Sequence, residues 1–222
     1  IRIYNMHRTF KHLIRLLNIY NPTGKEKKLR RYIVKVLKQN KIDYKIDYFG
    51  NIYSFQYKNK PFLSAHLDSV KNEDDITIKK NMKITQDLIW SEGNIMGADD
   101  LVGVYIILHL LITTNIRFNW VLTTEEESGL YGSIWFANKN PELIENSLYG
   151  IVIDRKGGNE IICCENNYGT KELEEDVLKA VPDFKSVWGM GSDADTWSVF
   201  ISCINISCGY YRHHTKSEYI KI

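Results

Sequence analysis

Short apolar runs of strand length alternate with helix-period stretches along the chain. Ile42, Tyr44, Ile46 and Tyr48 fall on every second position, as a half-buried strand requires. Phe10, Leu13, Ile14, Leu17 and Tyr20 recur at helical spacing over residues 8–20, and Asn21-Pro22 ends that helix. Thr23-Gly24-Lys25-Glu26 reads as a capping box, with Thr23 as N-cap, ahead of a helix carrying Leu29, Tyr32, Ile33, Val36 and Leu37. Further strands are expected at 52–57, 62–65, 119–124, 148–154, 160–164, 187–190 and 202–207, with a hairpin at 75–90. Its apolar positions are Ile76, Ile78, Met82, Ile84 and Leu88. Helices are expected at 100–113, 129–138 and 171–180. Such alternation implies an α/β fold, a three-layer α/β/α sandwich around a mixed, mainly parallel sheet. No Pro/Gly/Ser-rich linker interrupts it, so residues 1–222 are expected to form a single domain.

Composition removes several function classes. Apolar residues make up 44% and charged residues 25%, which excludes a disordered or coiled-coil chain. The formal charge of +2 leaves no basic field for nucleic acid, and the Lys clusters at 25–28 and 56–60 read as solvated surface. The longest apolar run, Val102 to Ile112, is about half of a membrane span. Ile1-Arg2-Ile3-Tyr4 lacks a signal-peptide layout. Cys163, Cys164, Cys203 and Cys208 have no paired spacing and read as reduced core thiols, which points to the cytoplasm.

Five segments place acids and histidines just beyond strand ends, where open α/β sheets gather ligands. They are Ser64-Ala65-His66-Leu67-Asp68, Gly97-Ala98-Asp99-Asp100, Glu125-Glu126-Glu127, Ile153-Asp154 and His213-His214-Thr215. Each has a bland reading alone. Asp99-Asp100 before an apolar helix fits an N-cap, three Glu a solvated run, and His213-His214 a loop. Together they supply the ligand types that two divalent ions sharing a carboxylate need. For His66, Asp99, Glu127, Asp154 and His214, three carboxylates and one hydroxide balance two divalent cations. No uncompensated buried charge is left.

These motifs resemble the co-catalytic zinc exopeptidases, the group that includes peptidase T, leucyl aminopeptidases and tetrahedral aminopeptidases. "SAHLDSV" is similar to the first metal motif, "IMGADDLVGV" to the bridging-aspartate motif and "TTEEESGLYGS" to the Glu-Glu motif. "GSDADTW" and "HHTKSEYI" are similar to the closing segments. The resemblance runs from about Leu13 to Tyr219. It implies that His66 and Asp154 bind one metal, Glu127 and His214 the other, and Asp99 both. It makes Glu126 the general base and Asp68 the partner of His66, and implies a cis Asp99–Asp100 peptide. The implied cofactors are two divalent ions, zinc first, with cobalt or manganese possible.

The implied activity is hydrolysis of an amide, in a peptide or an N-acyl amino acid. A non-catalytic metal-binding module is the alternative from another class. No Gly-x-Ser-x-Gly elbow supports a serine hydrolase. No Arg is visibly placed to clamp a substrate carboxylate, which favours an aminopeptidase. Glu125, Asp193 and Tyr211 are candidate substrate contacts. Ser192 follows Asp154 by 38 positions, too few for the lid or dimerisation domain that the peptidase T group inserts there. Apolar positions within 129–138 make a homo-oligomer possible.

Overall fold

The computed structural model describes residues 10–70 and 81–222. Residues 8 and 9 of the first expected helix, and Ile76 and Ile78 of the expected hairpin, lie outside that range.

The chain opens with α1 (Lys11–Leu17) and α2 (Lys27–Gln39), which bury Leu13, Leu16, Leu17, Leu29, Ile33, Val36 and Leu37. Then come β1 (Lys45–Ile46), β2 (Ile52–Ser54), β3 (Phe62–His66), β4 (Met82–Ile84) and β5 (Leu88–Ser91). Next are α3 (Ala98–Thr113), β6 (Asn119–Thr123), α4 (Tyr131–Lys139), α5 (Pro141–Glu145) and β7 (Gly150–Arg155). The last elements are β8 (Glu160–Ile162), α6 (Lys171–Ala180), β9 (Lys185–Ser186), α7 (Asp193–Trp197), β10 (Cys203–Ser207), β11 (Tyr210–Tyr211) and β12 (Tyr219–Lys221).

Eight strands form one mixed sheet in the order β1-β2-β6-β3-β7-β10-β8-β9. Its centre, β6-β3-β7-β10, is parallel. The central strands are covered on both faces, as parallel sheets require. Leu63, Ala65, Trp120, Leu122 and Ile153 pack on one side with α1, α2 and α3. The alternate residues Phe62, Val121 and Val152 pack on the other with Phe136, Ile144 and Trp197 from α4, α5 and α7. Helix α3 is apolar nearly all round because it lies buried. A second antiparallel sheet, β11-β12-β5-β4, carries the closing loop back beside α3.

The half-buried strand expected over 42–48 reduces to Lys45–Ile46, and Ile46 and Tyr48 are exposed. Two further local expectations fail for identifiable reasons. The helix after Thr23 starts at Lys27, and its N-cap Glu26 makes no side-chain cap. Thr23 Oγ1 instead donates to Asp68 Oδ2 at 2.8 Å, while Glu26 Oε1 accepts Gly24 N–H. The strand expected at 187–190 pairs only at Lys185–Ser186. There the Asn166 side chain takes both main-chain groups of Gly189, and Trp188 and Met190 turn outward. The cysteines are free, Cys163 and Cys203 buried and Cys164 and Cys208 half-buried. Burial pushes the Cys163 thiol up to about 12. Cys163, Cys164 and Glu174 gather, but Glu174 Oε2 already accepts from Cys164 N–H and the Ser186 hydroxyl. No helix among the described residues is long and apolar enough to cross a membrane.

Candidate metal centre

Strands β3, β6 and β7 run parallel, so their C-terminal ends deliver His66, the Glu125–Glu127 turn and Asp154 to one edge of the sheet. His66 is the last residue of β3 and is buried. Its main-chain N–H donates to Asp100 Oδ2 at 3.1 Å. Ring Nδ1 faces two acceptors of Asp68, the main-chain oxygen at 3.1 Å and carboxylate Oδ1 at 3.4 Å. The hydrogen therefore belongs on Nδ1, which turns Nε2 toward the acids. Asp99 Oδ1 lies 3.2 Å from Nε2, Asp154 Oδ1 3.6 Å and Glu126 Oε2 3.9 Å.

The other oxygen of Asp99 serves a second cluster. Asp99 Oδ2 is 3.2 Å from His214 Nε2, and Glu127 Oε1 is 2.8 Å from that same nitrogen. One carboxylate thus divides its two oxygens between two imidazoles, with a further acid at each. The Asp99–Asp100 peptide is cis. Asp99 and Asp100 have non-helical backbone angles, and Asp100 Oδ1 accepts Gly103 N–H at 3.0 Å. The N-cap reading of the pair therefore holds for Asp100, while Asp99 faces the cluster. His213 packs edge-on against His214, its Nδ1 buried without a hydrogen-bond partner among the described residues.

The charges at this edge are crowded. Burial, then Asp154, Asp193 and Glu127, raise Glu126 to about 9 against the opposing pull of His66. Burial and Asp99 raise Asp154 to about 7. Hydrogen bonds to Asp99 and Glu127 lift His214 to about 10. Burial works against charging both His66 and Asp99, but the charges of Glu126 and Asp154 prevail at His66, and hydrogen bonds from His214 and His66 prevail at Asp99. His66 is raised and Asp99 lowered. A group of acids that holds protons this firmly lacks positive charge. The donors fit two divalent ions: His66, Asp154 and Asp99 Oδ1 for one, His214, Glu127 and Asp99 Oδ2 for the other.

Asp68 does more than the sequence indicated, and Thr23, Glu218, Tyr210 and Asn205, supporting residues missed from the sequence, come from remote segments. The Asp68 carboxylate accepts Glu126 N–H at 3.0 Å, Glu127 N–H at 3.2 Å and the Thr23 hydroxyl. It thereby fixes the Glu-Glu turn as well as standing beside His66. Glu218, buried, accepts Met96, Gly97 and Asp99 N–H and so ties the closing segment to Asp99. Tyr210 OH donates to the Asp154 main-chain oxygen at 2.9 Å, and Asn205 Oδ1 accepts Asp154 N–H. Glu218 sits within the HHTKSEYI motif, but nothing local marked it as a main-chain acceptor.

Comparison with known proteins places this architecture. A tripeptidase from Staphylococcus aureus is 15% identical, with a TM-score of 0.76 over 96% of this chain and 93% of that one. The aminopeptidase PepT from Bacillus cereus gives 15% and 0.74 over the same shares. The TET1 peptidase of Pyrococcus horikoshii, which assembles into a tetrahedron or an octahedral shell, gives 16% and 0.72 over 96% and 94%. This is the fold of the PepT and TET aminopeptidases. No protein-family model matches the sequence. A Pyrococcus abyssi protein named as a LysW-lysine/LysW-ornithine hydrolase is 24% identical over 153 residues. That match spans 66% of this chain and 43% of the relative's length.

On this aminopeptidase fold, a cleft of about 250 Å³ opens over the cluster, lined by His66, Asp99, Glu126, Glu127, Asp154 and His214. Glu125, Asp193 and Tyr211 do not line it. Asp193 is buried beneath, accepting from the Thr123 hydroxyl. Tyr211 stacks on Tyr219, and Glu125 takes a left-handed turn conformation with φ 55°. Their neighbours Ser192 and Tyr210 do reach the cleft.

Proposed function

We propose that this chain is a metal-dependent amide hydrolase acting on small peptides or N-acyl amino acids. The carrying observation is Asp99, whose two oxygens face the Nε2 atoms of two different histidines. When bound, the two ions would lower the pKa of a shared water toward neutrality and polarise the scissile carbonyl. Zinc suits these imidazole and carboxylate donors, with cobalt or manganese as alternatives.

The remaining work falls to this chain's own groups. Glu126 lies at the cleft floor beside the His66 cluster and makes no hydrogen bond that would tie down its carboxylate among the described residues. It takes the proton of the water and passes it to the leaving amine. Asp68 holds the Glu126 and Glu127 main chain, so base and ligand keep a fixed offset. Tyr210 and Asn205 hold Asp154.

Between Asp154 and Ser192 lie β8, α6 and β9, with both strands in the main sheet. That supports reading residues 1–222 as one catalytic domain without an inserted lid. Exposed Tyr131 and Ile134 on α4 support a homo-oligomer.

The test is Glu126→Gln. Zinc content should stay near two ions per chain while turnover on a di- and tripeptide panel falls by about 10²–10⁴. Wild-type turnover in that variant would remove Glu126 as the base. Two bound ions with no hydrolysis by the unaltered chain would favour the non-catalytic module.

A further inference from the structure

The cleft has an acidic floor and a basic rim. Asp99, Glu126, Glu127 and Asp154 line the floor, and no other carboxylate among the described residues lines the cleft. The proposed chemistry commits all four, three as ligands and one as the base. Arg155 and Lys156, directly after Asp154 in the chain, also line the cleft. The two cations are not equivalent. Arg155 Nε and Nη2 donate to Glu160 Oε2 at 3.1 and 2.8 Å, so its guanidinium is already held by a carboxylate of the protein. Lys156 is exposed, and its ammonium has no ion pair or hydrogen bond among the described residues.

We propose that Lys156 recognises a carboxylate on the substrate, one or two residues beyond the scissile amide. The substrates are then short peptides with a free C-terminus or N-acyl amino acids. This deepens the hydrolase reading and rests on it.

The charge inventory carries the inference. A substrate ammonium would need an uncommitted carboxylate on the cleft wall, and among the described residues that wall offers none. A substrate carboxylate meets an unpaired ammonium. Spacing agrees: Lys156 is two residues beyond Asp154, about 7 Å along an extended chain, which is the span of one or two substrate residues. An ammonium is a point charge on a flexible stem, so it can follow carboxylates of somewhat different placement. Ile162 and Met190 supply apolar lining for the side chain between. A lysine in this role removes the ground for preferring an aminopeptidase, which was the lack of an Arg clamp.

The test uses zinc-loaded Glu126→Gln protein and calorimetry with N-acetyl-leucine and N-acetyl-leucinamide. The acid should bind about tenfold or more tightly than the amide, a preference of about 1.4 kcal/mol. Adding Lys156→Ala should weaken the acid alone and bring the two within about twofold, and Lys156→Arg should restore most of the gap. Equal affinities with Lys156 present would overturn the proposal. So would an acid preference that survives Lys156→Ala, since the metals alone would then hold the carboxylate. In the otherwise unaltered enzyme, Lys156→Ala should raise KM for alanyl-leucine and leave kcat and the hydrolysis of alanyl-leucinamide unchanged. Failure of the hydrolase reading would show as absent turnover with the binding preference still governed by Lys156. Failure of the Lys156 proposal would show as turnover indifferent to Lys156.

Discussion

Asp68→Asn changes one oxygen of a buried carboxylate to NH₂ at constant shape, and every group around that carboxylate is a defined partner. Oδ1 accepts Glu126 N–H at 3.0 Å and faces His66 Nδ1, while Oδ2 accepts Glu127 N–H at 3.2 Å and the Thr23 hydroxyl at 2.8 Å. An NH₂ at the Oδ1 position would oppose two N–H groups. At the Oδ2 position it opposes only Glu127 N–H, because the Thr23 hydroxyl can rotate and accept. The second orientation wins and leaves one N–H unsatisfied, at about 1–3 kcal/mol. Losing the charge from the remaining hydrogen bonds adds about 1 kcal/mol. Burial opposes charging Asp68, but its contact with His66 and the bond from Thr23 hold its pKa below the ordinary value. The anion is thus the form that the fold favours. The expected loss is about 2–4 kcal/mol, read as a urea midpoint lowered by about 1–2 M in chelator-treated protein at pH 7. Zinc competition should show a selective effect. The ion at Glu127 and His214 weakens about 10–100-fold, as is usual when a ligand loses its support. The ion at His66 is spared, because the Asp68 main-chain oxygen still accepts from Nδ1. An unchanged midpoint, or loss of the His66 ion first, would refute the reasoning.

Without metal, stability should fall as pH rises from about 5 to 9. Glu126 and Asp154 have folded pKa values near 9 and 7, above their ordinary 4.5 and 3.8. His214 sits at about 10 against 6.5. In those windows the folded state binds more protons than the unfolded one, so each added pH unit costs stability. Urea titrations in chelator at pH 5, 7 and 9 should show it, and saturating zinc should remove the trend. Gly103→Ala would drive a methyl into the Ile153 main-chain oxygen and the Asp100 carboxylate. At about 1–3 kcal/mol of overpacking, the melting temperature should drop by roughly 2–12 °C, and an unchanged value would mean that α3 can shift away from β7.

The layered fold was legible because its signals are local. Trp120-Val121-Leu122 and Ile151-Val152-Ile153 send successive side chains to opposite clusters, so each is apolar at every position and reads in the sequence as a short buried strand. The acids and histidines that gather at the cleft were legible because they sit in short motifs at strand ends. The scaffolding was not. Thr23 meets Asp68 across 45 positions, and Glu218 meets Gly97 across 121. Thr23 also sits in a stretch that satisfies a capping-box pattern, so a plausible local role concealed the remote one. The strand expected at 187–190 failed similarly, because a side chain from Asn166 replaced the ladder.

The scaffolding bears on how the metals would bind. Gathering Asp99, Glu126, Glu127 and Asp154 around two histidines opposes folding, because burial and like charge both disfavour the ionised acids. A flexible chain would relieve that by letting the acids swing into water. Here the main chain prevents it. Glu218 grips the Asp99 amide, Asp68 grips those of Glu126 and Glu127, and Asn205 grips that of Asp154. Each grip acts on backbone, so it persists whatever the protonation of the side chain it positions. The site is therefore set by the fold before any cation arrives. Cation binding needs to displace protons and neutralise charge, with little ordering of the chain left to do.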